Sequence, residues 1–148
     1  MLDLIKKALF ASYNPEEIKG LFFSGYGEKK ELAFSEGVVN TDKPLRELVE
    51  DLYESQVKPQ LKNFQVLAID VVSEIIDMAD PNEILALSPE EFGFILVSLE
   101  TDQSAVILPN TSGVADAKSA LYDAKKKYGI AGKVELFVFR TERILLAK

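Results

Sequence analysis

The sequence predicts an α+β fold of mostly antiparallel sheets with packed helices, on three observations. Extended stretches come in adjacent pairs joined by short turns, at 20–39 and 94–108, the mark of antiparallel hairpins. Amphipathic stretches are inserted between those pairs instead of alternating one for one with single strands. Finally, 148 residues with 47% hydrophobic content suffice for the core of one domain, 1–148, without disulfide or metal support.

The elements follow in order. Leu2, Ile5, Leu9 and Phe10, with Lys6 and Lys7 between them, predict a short amphipathic helix ending before Asn14-Pro15. Gly20–Ser24 reads as a strand, Gly25–Lys30 as a turn, and Glu31–Val39 as the returning strand. Gly25-Tyr26-Gly27 leads into a strand and not a helix N-terminus, so it is a hairpin tip and not a phosphate loop. Thr41-Asp42-Lys43-Pro44 starts a helix whose Leu45, Leu48, Val49, Leu52 and Tyr53 share one face. Its Arg46, Glu47, Glu50, Asp51 and Glu54 fall on the opposite, solvated side.

Phe64–Ile76 is rich in β-branched residues and predicts a long central strand. Asp70 is the one acid in its apolar run. Strand alternation favours an outward position that needs no partner, whereas an inward one would need a partner. Asp80-Pro81 opens a short helical turn through Leu87, and Ser88-Pro89-Glu90-Glu91 reads as a capping box. Phe94–Leu99 and Ala105–Leu108 form a second hairpin around Glu100-Thr101-Asp102-Gln103. Leu108-Pro109-Asn110-Thr111-Ser112-Gly113 then leads into a helix with Val114, Ala117, Leu121 and Ala124 on one face. Lys125, Lys126 and Lys127 complement that helix's C-terminus, Gly129 is a left-handed stop, and Ile130 supplies the apolar contact. Val134–Thr141 reads as a strand covered on both faces, and Ile144–Ala147 closes the chain.

Composition restricts the chemistry. The chain has no histidine and no cysteine, so the usual neutral-pH base, thiol nucleophiles and most structural zinc ligands are absent. Its 24 acids against 17 bases leave a net charge of −7, which argues against a nucleic-acid partner. No basic residue lies between Lys62 and Lys118, although that stretch runs from Asp70 to Asp116 with ten acids. A solvated acidic surface explains it. No Asp-x-Asp-x-Asp-Gly run is present, so no metal is expected. Charges within Met1–Lys7 argue against a signal peptide, and no apolar run approaches the roughly 20 residues of a membrane span. The expectation is an acidic cytoplasmic protein without a membrane partner.

Several stretches resemble the AMMECR domain family, the A component of the prokaryotic AmmeMemoRadiSam system. Lys19–Phe23, the turn and Glu31-Leu32 look like its Gly-Val-Phe-Val-Thr-Leu strand and Gly-Glu-Leu return. Pro44-Leu45 is similar to its helix start, and Ile69-Asp70-Val71-Val72-Ser73 to its long Ile-x-Val-Ser-x-Leu strand. Val106-Ile107-Leu108-Pro109 looks like its Val-Leu-Leu-Pro, and Val134–Phe139 like its closing strand. The resemblance implies a two-lobed single domain. It also implies association with a Memo-like protein and a radical-SAM enzyme in a modification pathway, with no reaction to carry over. The family signature after Glu-Leu is Arg-Gly-Cys-Ile-Gly, where this chain has Ala33-Phe34-Ser35-Glu36-Gly37. The arginine and cysteine are thus replaced by Ala33 and Ser35.

Two functions follow. One is a non-catalytic binding or adaptor protein engaging a protein or small molecule, with Ser35, Asp70 and Asn110 as binding candidates and no cofactor. The other is an enzyme with Ser35 as nucleophile and Lys30 or Glu36 as base. Adjacent strand residues point to opposite faces, which weakens a Ser35–Glu36 pair.

Overall fold

The hairpins and helices form in the computed structural model, which describes residues 1–78, 80–101, 103–110, 116–130 and 132–148. Asp102 in the second hairpin turn, and Thr111, Ser112, Gly113 and Val114 ahead of the last helix, lie outside the described residues. The elements are α1 (Leu2–Phe10), β1 (Leu21–Tyr26), β2 (Leu32–Val38), α2 (Leu45–Leu52), β3 (Val66–Ile76), α3 (Pro81–Leu85), β4 (Gly93–Ser98), β5 (Ser104–Ile107), α4 (Ala117–Lys127) and β6 (Val134–Ala147). The strands lie in the order β2-β1-β3-β6-β4-β5. The pairs β1–β2, β1–β3, β4–β5 and β4–β6 are antiparallel, as the paired stretches predict for an α+β chain. Two compact units divide the chain: Met1–Ser73 with Glu142–Lys148 (unit 1), and Glu74–Thr141 (unit 2).

In unit 1, alternation along β1 sends Leu21 and Phe23 to one face, where they join Leu67, Ile69 and Val71 of β3 in the core. Helix α2 adds Leu45, Leu48, Val49 and Leu52, the residues its sequence periodicity selects, and α1 adds Ile5 and Leu9. After Leu52 the helix widens into a π-turn at Tyr53–Val57 and tightens into a 3-10 turn at Lys58–Gln60. Pro59 has no N–H with which to continue an α-helical ladder, so the helix ends there. Phe34 of β2 closes the core by meeting Phe64 edge-on, with ring centroids 5.6 Å apart.

In unit 2, Ile84 of α3, Phe94 and Leu96 of β4, Ala117 and Leu121 of α4 and Val138 of β6 make the core. Asp80 caps α3 by accepting from the Asn82 N–H at 2.9 Å. Asp116 caps α4, accepting from the Ser119 N–H at 2.7 Å, and this bonding holds its carboxyl below the usual range. Gly129 stops α4 at φ +66°, and the Ile130 N–H returns to the Lys125 carbonyl at 2.9 Å. Two expectations need correction. Ser88–Glu91 forms a turn and opens no helix: Ser88 Oγ accepts from the Glu90 N–H at 3.3 Å, and only Phe92 intervenes before β4 begins. Residues 134–147 make one strand of 14 residues, with Glu135, Phe137 and Arg140 exposed instead of covered.

Candidate functional site

Two of the sequence candidates, Ser35 and Asp70, lie on the second face of the unit 1 sheet, the one opposite the core. Phe22 and Ser24 of β1 occupy this face, because their neighbours Leu21 and Phe23 occupy the other. Register then assigns their companions. Phe22 lies between Gly37 of β2 and Asp70 of β3, and Ser24 between Ser35 of β2 and Ala68 of β3. Ser35 and Asp70 therefore share one face of neighbouring rows across three strands. No sequence spacing foretells this, because strand pairing sets it.

Ser35 is exposed, and its Oγ lies 3.0 Å from the Oγ of Ser24, which is only 1% exposed. The partner of the candidate nucleophile is thus a buried neutral hydroxyl, which cannot draw off a proton as a base would. Glu36 pairs with Phe23 in the register and so lies on the core-side face, away from Ser35. Lys30 sits in the hairpin turn at φ +64°, exposed, five residues before Ser35. At about 3.3 Å per residue that separation is on the order of 15 Å. Neither candidate base is brought to Ser35.

Asp70 corrects the sequence expectation. It does not face solvent: it is 1% exposed in the middle of the sheet and is paired. Arg143 of β6 donates from Nε to Oδ1 at 3.0 Å and to Oδ2 at 3.3 Å, and from Nη2 to Oδ2 at 3.0 Å. Alternation alone could not decide this, because a strand inside a sheet has two faces and either can be covered. Burial works against the Arg143 charge. Its hydrogen bonds and attraction to Asp70, with smaller contributions from Tyr26, hold the guanidinium pKa above its usual value. Geometry and electrostatics together make this a bidentate ion pair across the face, with Tyr26 as a further partner of Arg143.

Arg143, Tyr26 and Ser24 were not among the sequence candidates. A signal for Arg143 existed: the chain has three arginines, Arg46, Arg140 and Arg143, and a carboxylate in an apolar strand calls for a bidentate guanidinium partner. Asn110 falls outside this cluster. It belongs to unit 2, exposed in a turn at φ +56°, with its N–H donating to the Pro89 carbonyl at 2.9 Å. That conformation suits asparagine and gives the residue a local structural role. Among the described residues, no cluster of three or more acids could hold a metal ion. Among them too, no helix is long and apolar enough to cross a membrane.

In fold, the chain is similar to the crystal structure of the uncharacterized protein PH0010 from Pyrococcus horikoshii. The match has a TM-score of 0.69 at 16% identity, over 97% of this chain and 86% of that one. At that identity the likeness is one of fold alone. No protein-family model and no curated protein matches the sequence.

Proposed function

We propose that this chain is a divergent AMMECR-like protein of the cytoplasm, acting as a non-catalytic binding or adaptor component of a modification pathway. By the family resemblance its partner is a Memo-like or radical-SAM protein, or a small molecule handled with them. The observation that carries the reading is at Ser35. Where relatives have their signature cysteine, this chain has a hydroxyl whose partner is the buried hydroxyl of Ser24. A serine so placed lacks the adjacent base that acyl transfer requires. The order of hairpin, helix, long strand, hairpin, helix and closing strand, on which the resemblance rests, also supports it.

The competing reading makes Ser35 a nucleophile served by Lys30 or Glu36. One experiment separates the two. Wild-type and Ser35→Ala proteins are used to capture partners from the native cell, and both are treated with a serine-reactive fluorophosphonate. Equal capture and no labelling of Ser35 are expected. Labelling at Ser35, with loss of function in a folded Ser35→Ala variant, would overturn the proposal in favour of the enzyme.

A further inference from the structure

Strand β2 ends the sheet order, and no described strand pairs with its outer edge. In a strand, alternate residues turn both N–H and C=O to the same side, so part of β2's backbone hydrogen-bonding capacity faces outward. Edges of this kind are ordinarily blunted by brevity, charged side chains, proline or a bulge, and β2 has one charge, Glu36. At the far end of the order, β5 is blunted by length, with only four residues. β2 has seven residues, Leu32-Ala33-Phe34-Ser35-Glu36-Gly37-Val38, without lysine or proline. Its one irregularity lies at the turn end, between the Gly25 and Tyr26 pairs, so Phe34 to Val38 runs in unbroken register.

The side chains along this edge differ by face. Ser35 and Gly37 make one face of small residues, over which bulky side chains of an added strand could lie, with Leu32, 46% exposed, at its turn end. The other face has Phe34, packed in the core, then Glu36 and Val38. Glu36 is the only charged residue of β2, is exposed, and forms no ion pair among the described residues. The adjoining turn has both signs, Glu28, Lys29, Lys30 and Glu31, and so adds no bias. A second copy pairing edge to edge would bring a second Glu36 and no basic residue of β2 to the same edge. A basic strand would meet an unpaired carboxylate at Glu36.

We infer that β2 is a docking edge, taking an extended segment of a partner protein in which basic and apolar residues alternate. The segment would add to the sheet by main-chain hydrogen bonds, with a lysine or arginine beside Glu36. This rests on the binding reading above and names the kind of partner and its mode of attachment.

The test uses the whole chain, isotopically labelled, with the peptide acetyl-Val-Lys-Val-Lys-Val-Lys-Val-amide at concentrations where it is monomeric. Its glutamate counterpart and a version N-methylated at alternate residues serve as controls. The lysine peptide should slow amide exchange at residues 32–38 and leave β5 unchanged, whereas N-methylation should abolish the effect. Glu36→Lys, an exposed and fold-neutral change, should weaken the lysine peptide several-fold and strengthen the glutamate peptide by a similar factor. Protection elsewhere, equal binding of the N-methylated peptide, or indifference to Glu36→Lys would overturn the inference. Protection of β2 that grows with protein concentration alone would also overturn it, since the occupant would be a second copy. A native partner captured equally by wild type and Glu36→Lys would overturn this docking mode while leaving the binding reading intact.

Discussion

At the scale of single residues, the Asp70–Arg143 pair makes the sharpest prediction. Its two ends are unequally covered: the Asp70 side chain is 1% exposed and that of Arg143 is 23% exposed. Removing Arg143 strands a carboxylate in the sheet, whereas neutralising Asp70 leaves a guanidinium that can still reach water. We expect Arg143→Leu to cost about 3–5 kcal/mol and Asp70→Asn distinctly less, measured by urea denaturation. The reverse order would mean that Arg143, not Asp70, is the group the fold must compensate. A second prediction concerns Tyr13, whose hydroxyl donates to Glu142 Oε2 at 2.6 Å. Burial, then the bond to the Glu142 carboxylate and its charge, then Glu17, raise the phenol well above its usual value of 10. Because the folded state holds this proton more tightly than the unfolded state, the resulting stability is complete below pH 10. It is lost as pH climbs above that. Wild type should therefore exceed Tyr13→Phe by about 1 kcal/mol at neutral pH. The margin should shrink in melts above pH 10, and a constant margin would show that the proton is not the cause.

At the scale of elements, two glycines separate backbone strain from steric exclusion. Gly129 ends α4 at φ +66°, and a Cβ there would meet nothing within 4 Å. Gly129→Ala is expected to cost about 1 kcal/mol from conformation alone, and Gly129→Asn less, by thermal melting. Gly93 on β4 has ordinary backbone but faces its cross-strand partner Phe139, whose ring occupies the space of a Cβ. Gly93→Ala should cost more, about 1–3 kcal/mol, and Phe139→Leu should recover part of it. If Phe139→Leu recovers nothing, the ring is not the obstacle. Gly129 was legible because a lysine-rich helix end followed by Gly-Ile is a local signal. The reason for Gly93 was not, since Phe139 is 46 residues away and meets it only through strand pairing. The same division explains α2, whose buried stripe was readable from period alone, and Ser88–Glu91, where a sound capping pattern ran into a strand that tertiary pairing had claimed.

At the scale of the whole molecule, the fold class was legible because it depends on patterns repeated along the chain: paired extended stretches, inserted amphipathic helices and enough apolar content for a core. The candidate site was legible only in its parts. Ser35 stood out only through the family resemblance, as the residue in place of the signature cysteine, and Asp70 because an acid interrupted an apolar run. Their shared sheet face, the burial of Ser24 behind Ser35, and the bond from Arg143 to Asp70 across 73 positions required the register of β1, β2 and β3 and the return of β6. The absence of histidine and cysteine, the net acidity and local stops such as Gly129 are thus properties that the sequence determines alone, since composition and short-range sterics decide them. Which face Asp70 occupies, and what Ser35 touches, were decided by tertiary structure. Both follow from hydrogen-bonded strand pairing, and a strand's own alternation states only that two faces exist, not which one the rest of the chain will cover.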